Sequence, residues 1–152
     1  MSNKKIVLVT GATSGIGEGC AKRFAQGGYR VIVTGRNRGK LENLKTSLEA
    51  DGAEVLALAF DVRDREAARK AVESIPDDWK DIDVLINNAG LARGLEPEYQ
   101  GNFEDWDQMI DTNIKGLLTM TRLIVPDMVR RNSGHIINIG SVAGDAAYAG
   151  GN

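Results

Sequence analysis

Short apolar runs with no polar interruption recur along the chain: Ile6–Val9, Val31–Thr34, Val55–Ala59, Val84–Ile86 and Ile136–Ile139. They are rich in β-branched residues and lack apolar/polar alternation, the pattern of strands covered on both faces. Between them, apolar positions return at helical spacing. Gly15–Gln26 carries Ile16, Cys20 and Phe24; Lys40–Ala50 carries Leu41, Leu44 and Leu48; Arg65–Ile75 carries Ala68, Ala71, Val72 and Ile75 and is closed by Pro76. A longer helical pattern, Glu104–Arg131, is interrupted near its end by Pro126. The predicted order is therefore β-α-β-α-β-α-β-α-β, which calls for parallel strands joined by right-handed helical crossovers. The first four strand ends, at Thr10, Gly35, Phe60 and Asn87, fall about 25 residues apart, the period of a βα unit. The expected fold is α/β: a doubly wound parallel sheet of order 3-2-1-4-5, with ligands at the carboxyl ends of its strands.

The long helical segment carries two apolar stripes. One is Trp106, Ile110, Leu117, Ile124 and Met128; the other is Met109, Ile114, Leu118, Leu123 and Val129. A helix lying on a sheet needs one such face. A second face predicts a partner subunit, since wide apolar patches need cover; burial inside a larger domain is the alternative.

Composition narrows the setting. The 152 residues suit one domain, and 42% hydrophobic with 26% charged residues is ordinary for a globular chain. The net charge of −2 and the absence of a basic block give no reason to expect nucleic acid or an anionic membrane as partner. No stretch approaches the roughly 20 apolar residues that span a bilayer. The apolar run near the N-terminus leads into glycines rather than a cleavage site. One cysteine, Cys20, precludes an intramolecular disulfide. These features predict a cytoplasmic protein. Glycine is frequent, at 18 residues, and falls at the ends of the apolar runs, where a backbone turns tightly or approaches a ligand.

Those strand ends carry the chemistry. After the first run comes TGATSGIG, Thr10 to Gly17, with glycines where strand turns into helix. Such a loop lets a backbone approach a pyrophosphate seated on the helix N-terminus; a glycine-rich turn without ligand is the plainer reading. After the second run comes TGRNR. A dinucleotide site would put a ribose-binding acid here. Arg36 and Arg38 instead offer guanidinium forks for a 2′-phosphate, favouring NADP over NAD, unless they are merely solvated. After the third run Asp61 stands either to accept from an adenine amine or to cap the next helix. NNAG, Asn87 to Gly90, follows the fourth run and GSVAG, with Ser141, the fifth.

Together TGATSGIG, Asp61, NNAG, Asn113 in DTNIKG, and IGS followed by AYAGGN resemble the short-chain dehydrogenase/reductase family, from about Lys5 to the last residue. The resemblance implies an NAD(P)-dependent oxidoreductase on a Rossmann-type fold. It assigns Thr10, Gly11, Ser14, Gly15, Ile16 and Gly17 to the pyrophosphate loop and Arg36 to NADP preference. Asp61 and Val62 fall on the adenine side, and Asn88, Ala89 and Gly90 on the ribose and nicotinamide side. It makes Ser141 the donor to the substrate oxygen and Asn113 the support of a proton-relay water. The family also needs a Tyr-x-x-x-Lys pair, in which the lysine charge lowers the tyrosine pKa. Four residues after Tyr148 stands Asn152, not lysine. Tyr148 is therefore read as a loop residue at the substrate mouth, and the resemblance places the tyrosine and lysine beyond Asn152. On that reading residues 1–152 form a single NADP-binding domain, incomplete at the C-terminus, without the family's later strands and helices. It would be inactive and poorly soluble alone; a non-catalytic nucleotide- or partner-binding module is the alternative. NNAGLARGLEPEYQG and AYAGGN look most like the subgroup acting on 3-hydroxy acids such as serine. A homo-oligomer, dimer or tetramer, through the 104–131 helix is expected.

Three residues are weighed outside the motifs. His135, the only histidine, has no histidine or cysteine nearby in sequence, so no metal site is expected. Cys20 reads as an inert thiol on an apolar helix face. Arg93 is either a clamp for a substrate carboxylate or a solvated loop residue.

Overall fold

A computed structural model describes residues 4–146. Five parallel strands, β1 (Ile6–Val9), β2 (Arg30–Gly35), β3 (Val55–Ala59), β4 (Ile82–Asn87) and β5 (His135–Asn138), form one sheet of order β3-β2-β1-β4-β5. This is the Rossmann-type arrangement the alternation predicts. Successive strand residues point to opposite faces, so each run feeds two cores. Ile6, Leu8, Ile32 and Leu85 face α3 (Arg65–Glu73) and α5 (Leu117–Arg131), meeting Ala68, Met120, Ile124 and Met128. Val7, Val9, Val31, Val33 and Ile86 face α1 (Gly15–Gln26) and α2 (Arg38–Ala50), meeting Ala21, Leu41, Leu44 and Leu48.

Local chemistry moves several boundaries. Helix α2 starts two residues before Lys40 because the Asn37 side chain accepts from the Lys40 N–H. Helix α3 stops at Glu73, and Ile75, beyond its end, is still buried in the core. On α1 the inward positions are Gly17 and Ala21; Ile16 is 63% exposed and Cys20 half-buried. Gly17 is small there because the first turn of α1 lies against the Gly11 carbonyl and the Asn88 side chain, just past the ends of β1 and β4.

The long helix is not continuous. Helix α4 (Phe103–Met109) runs into a π-helical segment (Ile110–Gly116) and then into α5, which keeps Pro126 inside. The wider turn resets the phase. Thr112, Gly116, Met120, Ile124 and Met128 go inward at four-residue intervals, whereas Ile110, Ile114, Leu118 and Val129 stay exposed. The first predicted stripe thus fails at Ile110, and neither stripe included Met120. β5 also departs from the expectation of strands covered on both faces: it is one edge of the described sheet, β3 being the other, and His135, Ile136 and Asn138 are exposed.

Candidate functional site

The carboxyl ends of β1 to β4 converge on a cleft of about 350 Å³. One threonine ties two of them together. Thr10 Oγ1 donates to the Ile86 carbonyl (3.3 Å) and accepts from the Asn88 and Ala89 N–H groups (3.0 and 2.9 Å). Asn88 Nδ2 returns the link by donating to the Thr10 and Gly11 carbonyls, both at 3.1 Å. The amides of NNAG therefore satisfy backbone across the crevice. Asn87 acts deeper, donating to Thr121 Oγ1 and Asn138 Oδ1.

The glycine loop is shaped by close approach. Gly11 holds φ +63°, and a methyl there would come within 2.9 Å of Ala89 Cα. A methyl on Gly17 would collide with the Gly11 carbonyl and Asn88 Nδ2. Gly15, at φ +55°, faces open space. Ser14 is the extended N-cap of α1 but makes no side-chain cap bond, whereas Asn37, Asp64 and Asn102 each cap their own helix. The first N–H groups of α1 thus keep their free donors and positive end for an anion.

Arg36 follows β2 on the far wall. Asp61 follows β3, and the structure excludes its role as helix cap: the cap of α3 is Asp64, which accepts from the Glu66 and Ala67 N–H groups. Asp61 is bound instead by Arg63, through the Arg63 N–H (3.0 Å), Nε and Nη2 (2.7 Å). Burial pushes its carboxyl pKa up, but the Arg63 hydrogen bonds and charge, with the charge of Arg36, outweigh this and hold it below the usual range.

Ten of the predicted residues line the cleft: Gly11, Ser14, Gly15, Ile16, Arg36, Asp61, Val62, Asn88, Ala89 and Gly90. Thr10 and Gly17 lie behind its wall and set its shape. Asn113, in the π-helical segment, accepts from the Leu91 N–H (2.9 Å) and donates to the Leu91 carbonyl (2.8 Å), pinning the loop after NNAG. Ser141 starts a short 3-10 turn (Val142–Gly144), its Oγ accepting from the Ala143 N–H. Arg93 is outside the lining; its N–H donates to Met109 Sδ and its guanidinium lies 3.8 Å from Asp105. Tyr148 is outside the described residues.

Sequence reasoning missed Thr13, Gly35, Phe60, Leu91 and Thr112 as lining residues. All five lie within or beside the quoted motifs, Thr112 inside DTNIKG, but Thr112 shows its place at the cleft only in the structure. It is buried on the helical wall, and its Oγ1 has no hydrogen-bond partner. Among the described residues no cluster of histidine, cysteine and carboxylates could hold a metal ion, and no helix is long and apolar enough to cross a membrane.

A crevice with free helix amides at one end, an arginine on one wall and an ionised acceptor beyond it fits a phosphorylated dinucleotide. Comparison with known proteins agrees. The short chain dehydrogenase family profile matches residues 5–152. The chain is 57% identical over 147 residues to the NADP-dependent 3-hydroxy acid dehydrogenase YdfG of Salmonella typhi, covering 97% of this chain and 58% of that protein. It is 47% identical over 146 residues to the serine 3-dehydrogenase of Rhizobium radiobacter, covering 96% and 57%. A solved closed form of serine dehydrogenase complexed with NADP+ superposes with a TM-score of 0.91 at 53% identity, over 95% of this chain and 57% of that one. The chain thus spans under three-fifths of the length of these relatives.

Proposed function

The chain belongs to the short-chain dehydrogenase family, and from that premise we propose that it binds NADP as the cofactor half of a dehydrogenase acting on a 3-hydroxy acid such as serine. The observation that carries this reading is the convergence of the uncapped N-terminus of α1, Arg36 and Asp61 on one cleft. The Ser14–Gly17 backbone receives the pyrophosphate, with Thr10 and Asn88 holding the loop in register. The Arg36 fork takes the 2′-phosphate. Asp61 and the Val62 backbone take the adenine, and Asn88, Ala89 and Gly90 line the ribose and nicotinamide side. Bound there, NADP supplies the hydride acceptor.

On the substrate side, the Ser141 Oγ already accepts one bond, which leaves its hydroxyl proton to donate to the substrate oxygen. The Asn113 amide is spent on Leu91, so support of a relay water falls to its main chain. Arg93, loosely paired with Asp105, is free to turn toward a substrate carboxylate. Subunits associate through the exposed face of α4 and α5.

The relatives named for 3-hydroxy acids and serine support the substrate class. None of Tyr29, Tyr99 and Tyr148 is followed four residues later by lysine, which favours binding without turnover for residues 1–152 by themselves. Fluorescence titration with NADPH and NADH tests the cofactor. Saturable binding with NADPH preferred about tenfold or more is expected, from the strength of a charge-assisted hydrogen bond. The variant Arg36→Ala should lose that preference while keeping its NADH affinity. Equal affinity for both nucleotides in the unmodified protein would refute the NADP assignment. For the substrate, the full-length polypeptide carrying this sequence should oxidise L-serine with NADP; turnover of sugars or steroids alone would refute the class.

A further inference from the structure

We propose that Arg63 is a positioning residue for adenine recognition: by clamping the Asp61 carboxylate it leaves one aimed acceptor for the 6-amino group. The inference rests on the cofactor reading above and adds to it a residue, two positions after Asp61, to which the sequence assigns no role.

The clamp is complete on one side. Asp61 Oδ1 accepts from the Arg63 N–H at 3.0 Å, Nε bridges both oxygens at 3.1 and 3.0 Å, and Nη2 meets Oδ2 at 2.7 Å. A carboxylate offers about four acceptor sites; Arg63 brings three N–H donors to them, with Nε shared between the two oxygens, which leaves room for one further donor. The remaining site is fixed in direction, because a planar two-pronged guanidinium sets both the rotation and the tilt of its partner. Asp61 lines the cleft, so its carboxylate is within the wall that a bound base would meet.

The loop does not need this clamp to fold. Its turn is closed by the Asp64 N–H donating to the Asp61 carbonyl at 3.0 Å, and Asp64 caps α3 by itself. Val62 is buried against Gly116. The Arg63 side chain is thus surplus to the local backbone structure, and the group it constrains is the one facing the ligand. Besides Asp61, the charge of Asp111 in the π-helical segment also favours the charged form of this guanidinium.

The consequence is selectivity between bases. Adenine presents an amine hydrogen at position 6. Hypoxanthine presents an oxygen there and moves its donor to the neighbouring ring nitrogen. A carboxylate free to rotate can follow that donor; a clamped one cannot, and it meets oxygen with oxygen. Arg63 therefore sets the adenine preference, not merely the overall affinity.

The test compares the reduced forms of NADP and its hypoxanthine analogue by fluorescence titration, in unmodified protein and in Arg63→Ala and Arg63→Lys. The unmodified protein should prefer the adenine nucleotide about tenfold or more, the worth of one hydrogen bond to a charged group. Both variants should narrow that preference to within about threefold, because lysine keeps the charge but lacks the fork. Unchanged melting temperatures show that both variants fold. A uniform loss of affinity for both nucleotides, with the ratio intact, would mean that Arg63 acts only as a charge, and would overturn the proposal while the NADP reading stands. Retention of the ratio in Arg63→Lys would overturn it in the same way. Failure of the unmodified protein to bind NADPH would bring down both.

Discussion

At the scale of single residues, the cleft depends on side chains that are missing as much as on those present. Gly17 is the sharpest case. Its neighbour Gly15 adopts a left-handed backbone but has open space around it, whereas a methyl at Gly17 would meet the Gly11 carbonyl and Asn88 Nδ2. Those are backbone and the hydrogen-bonded amide that staples β1 to β4, so neither yields cheaply. Gly17→Ala should cost about 1–3 kcal/mol, as overpacking does, and lower the melting temperature by several degrees. It should also abolish NADPH binding, because the displaced Gly11 carbonyl moves the phosphate loop. Gly15→Ala carries only the left-handed penalty, about 1–2 kcal/mol, with no collision. A Gly17→Ala protein as stable as the parent would show that the contact between α1 and NNAG is looser than its geometry implies.

At the scale of elements, the strands and the cleft-lining motifs were legible because each depends on local pattern. An apolar run buried on both faces reads as a parallel strand, and its glycine or polar end reads as a ligand-facing turn. What was not legible depends on contacts between distant elements. Asp61 sat between two local roles, and only the observed Asp64 cap decided against one of them. Thr112 lines the cleft from the π-helical segment, and a sequence read at a constant helical period places Ile110 wrongly and misses Met120, although Ile124 and Met128 do fall inward. Gly116 closes that segment against Val62; a methyl added there would lie 2.7 Å from Val62 Cγ2. Helix propensity alone would make Gly116→Ala stabilising by about 1 kcal/mol. The collision, at about 1–3 kcal/mol, should win, so the variant should unfold at lower temperature and bind NADPH more weakly, since Val62 adjoins Asp61. Gly19→Ala, on α1 with open space around it, is the control that should show the propensity gain alone. Stabilisation by both variants would mean that the π-helical segment does not press on the β3–α3 loop.

At the scale of the whole molecule, the uneven cover of apolar surface governs behaviour in solution. One face of the sheet rests on α1 and α2 and the other on α3 and α5, yet two regions of the described structure lack cover. One is the outer side of α4 and α5, where Phe103, Ile114, Leu118 and Val129 are 75%, 53%, 59% and 72% exposed. The other is β5, whose Ile136 is exposed beside unpaired backbone. Helix faces pair by closed point-group contacts, which stop at a dimer or tetramer, whereas strand edges pair without a fixed limit. The two regions therefore predict different outcomes. From Phe103 to Val129 the helical stripe runs roughly 40 Å at 1.5 Å per residue, and polar residues flank it, as on a specific interface. The 152-residue chain should sediment as a dimer or tetramer at micromolar concentration. Leu118→Glu combined with Val129→Glu should shift it to monomer by placing charges at the centre of the contact. A monodisperse monomer in the parent chain would refute association through this face. Higher assemblies that ignore both substitutions would assign the association to a sheet edge, β5 or β3, instead, because the charges on α5 leave the edges untouched.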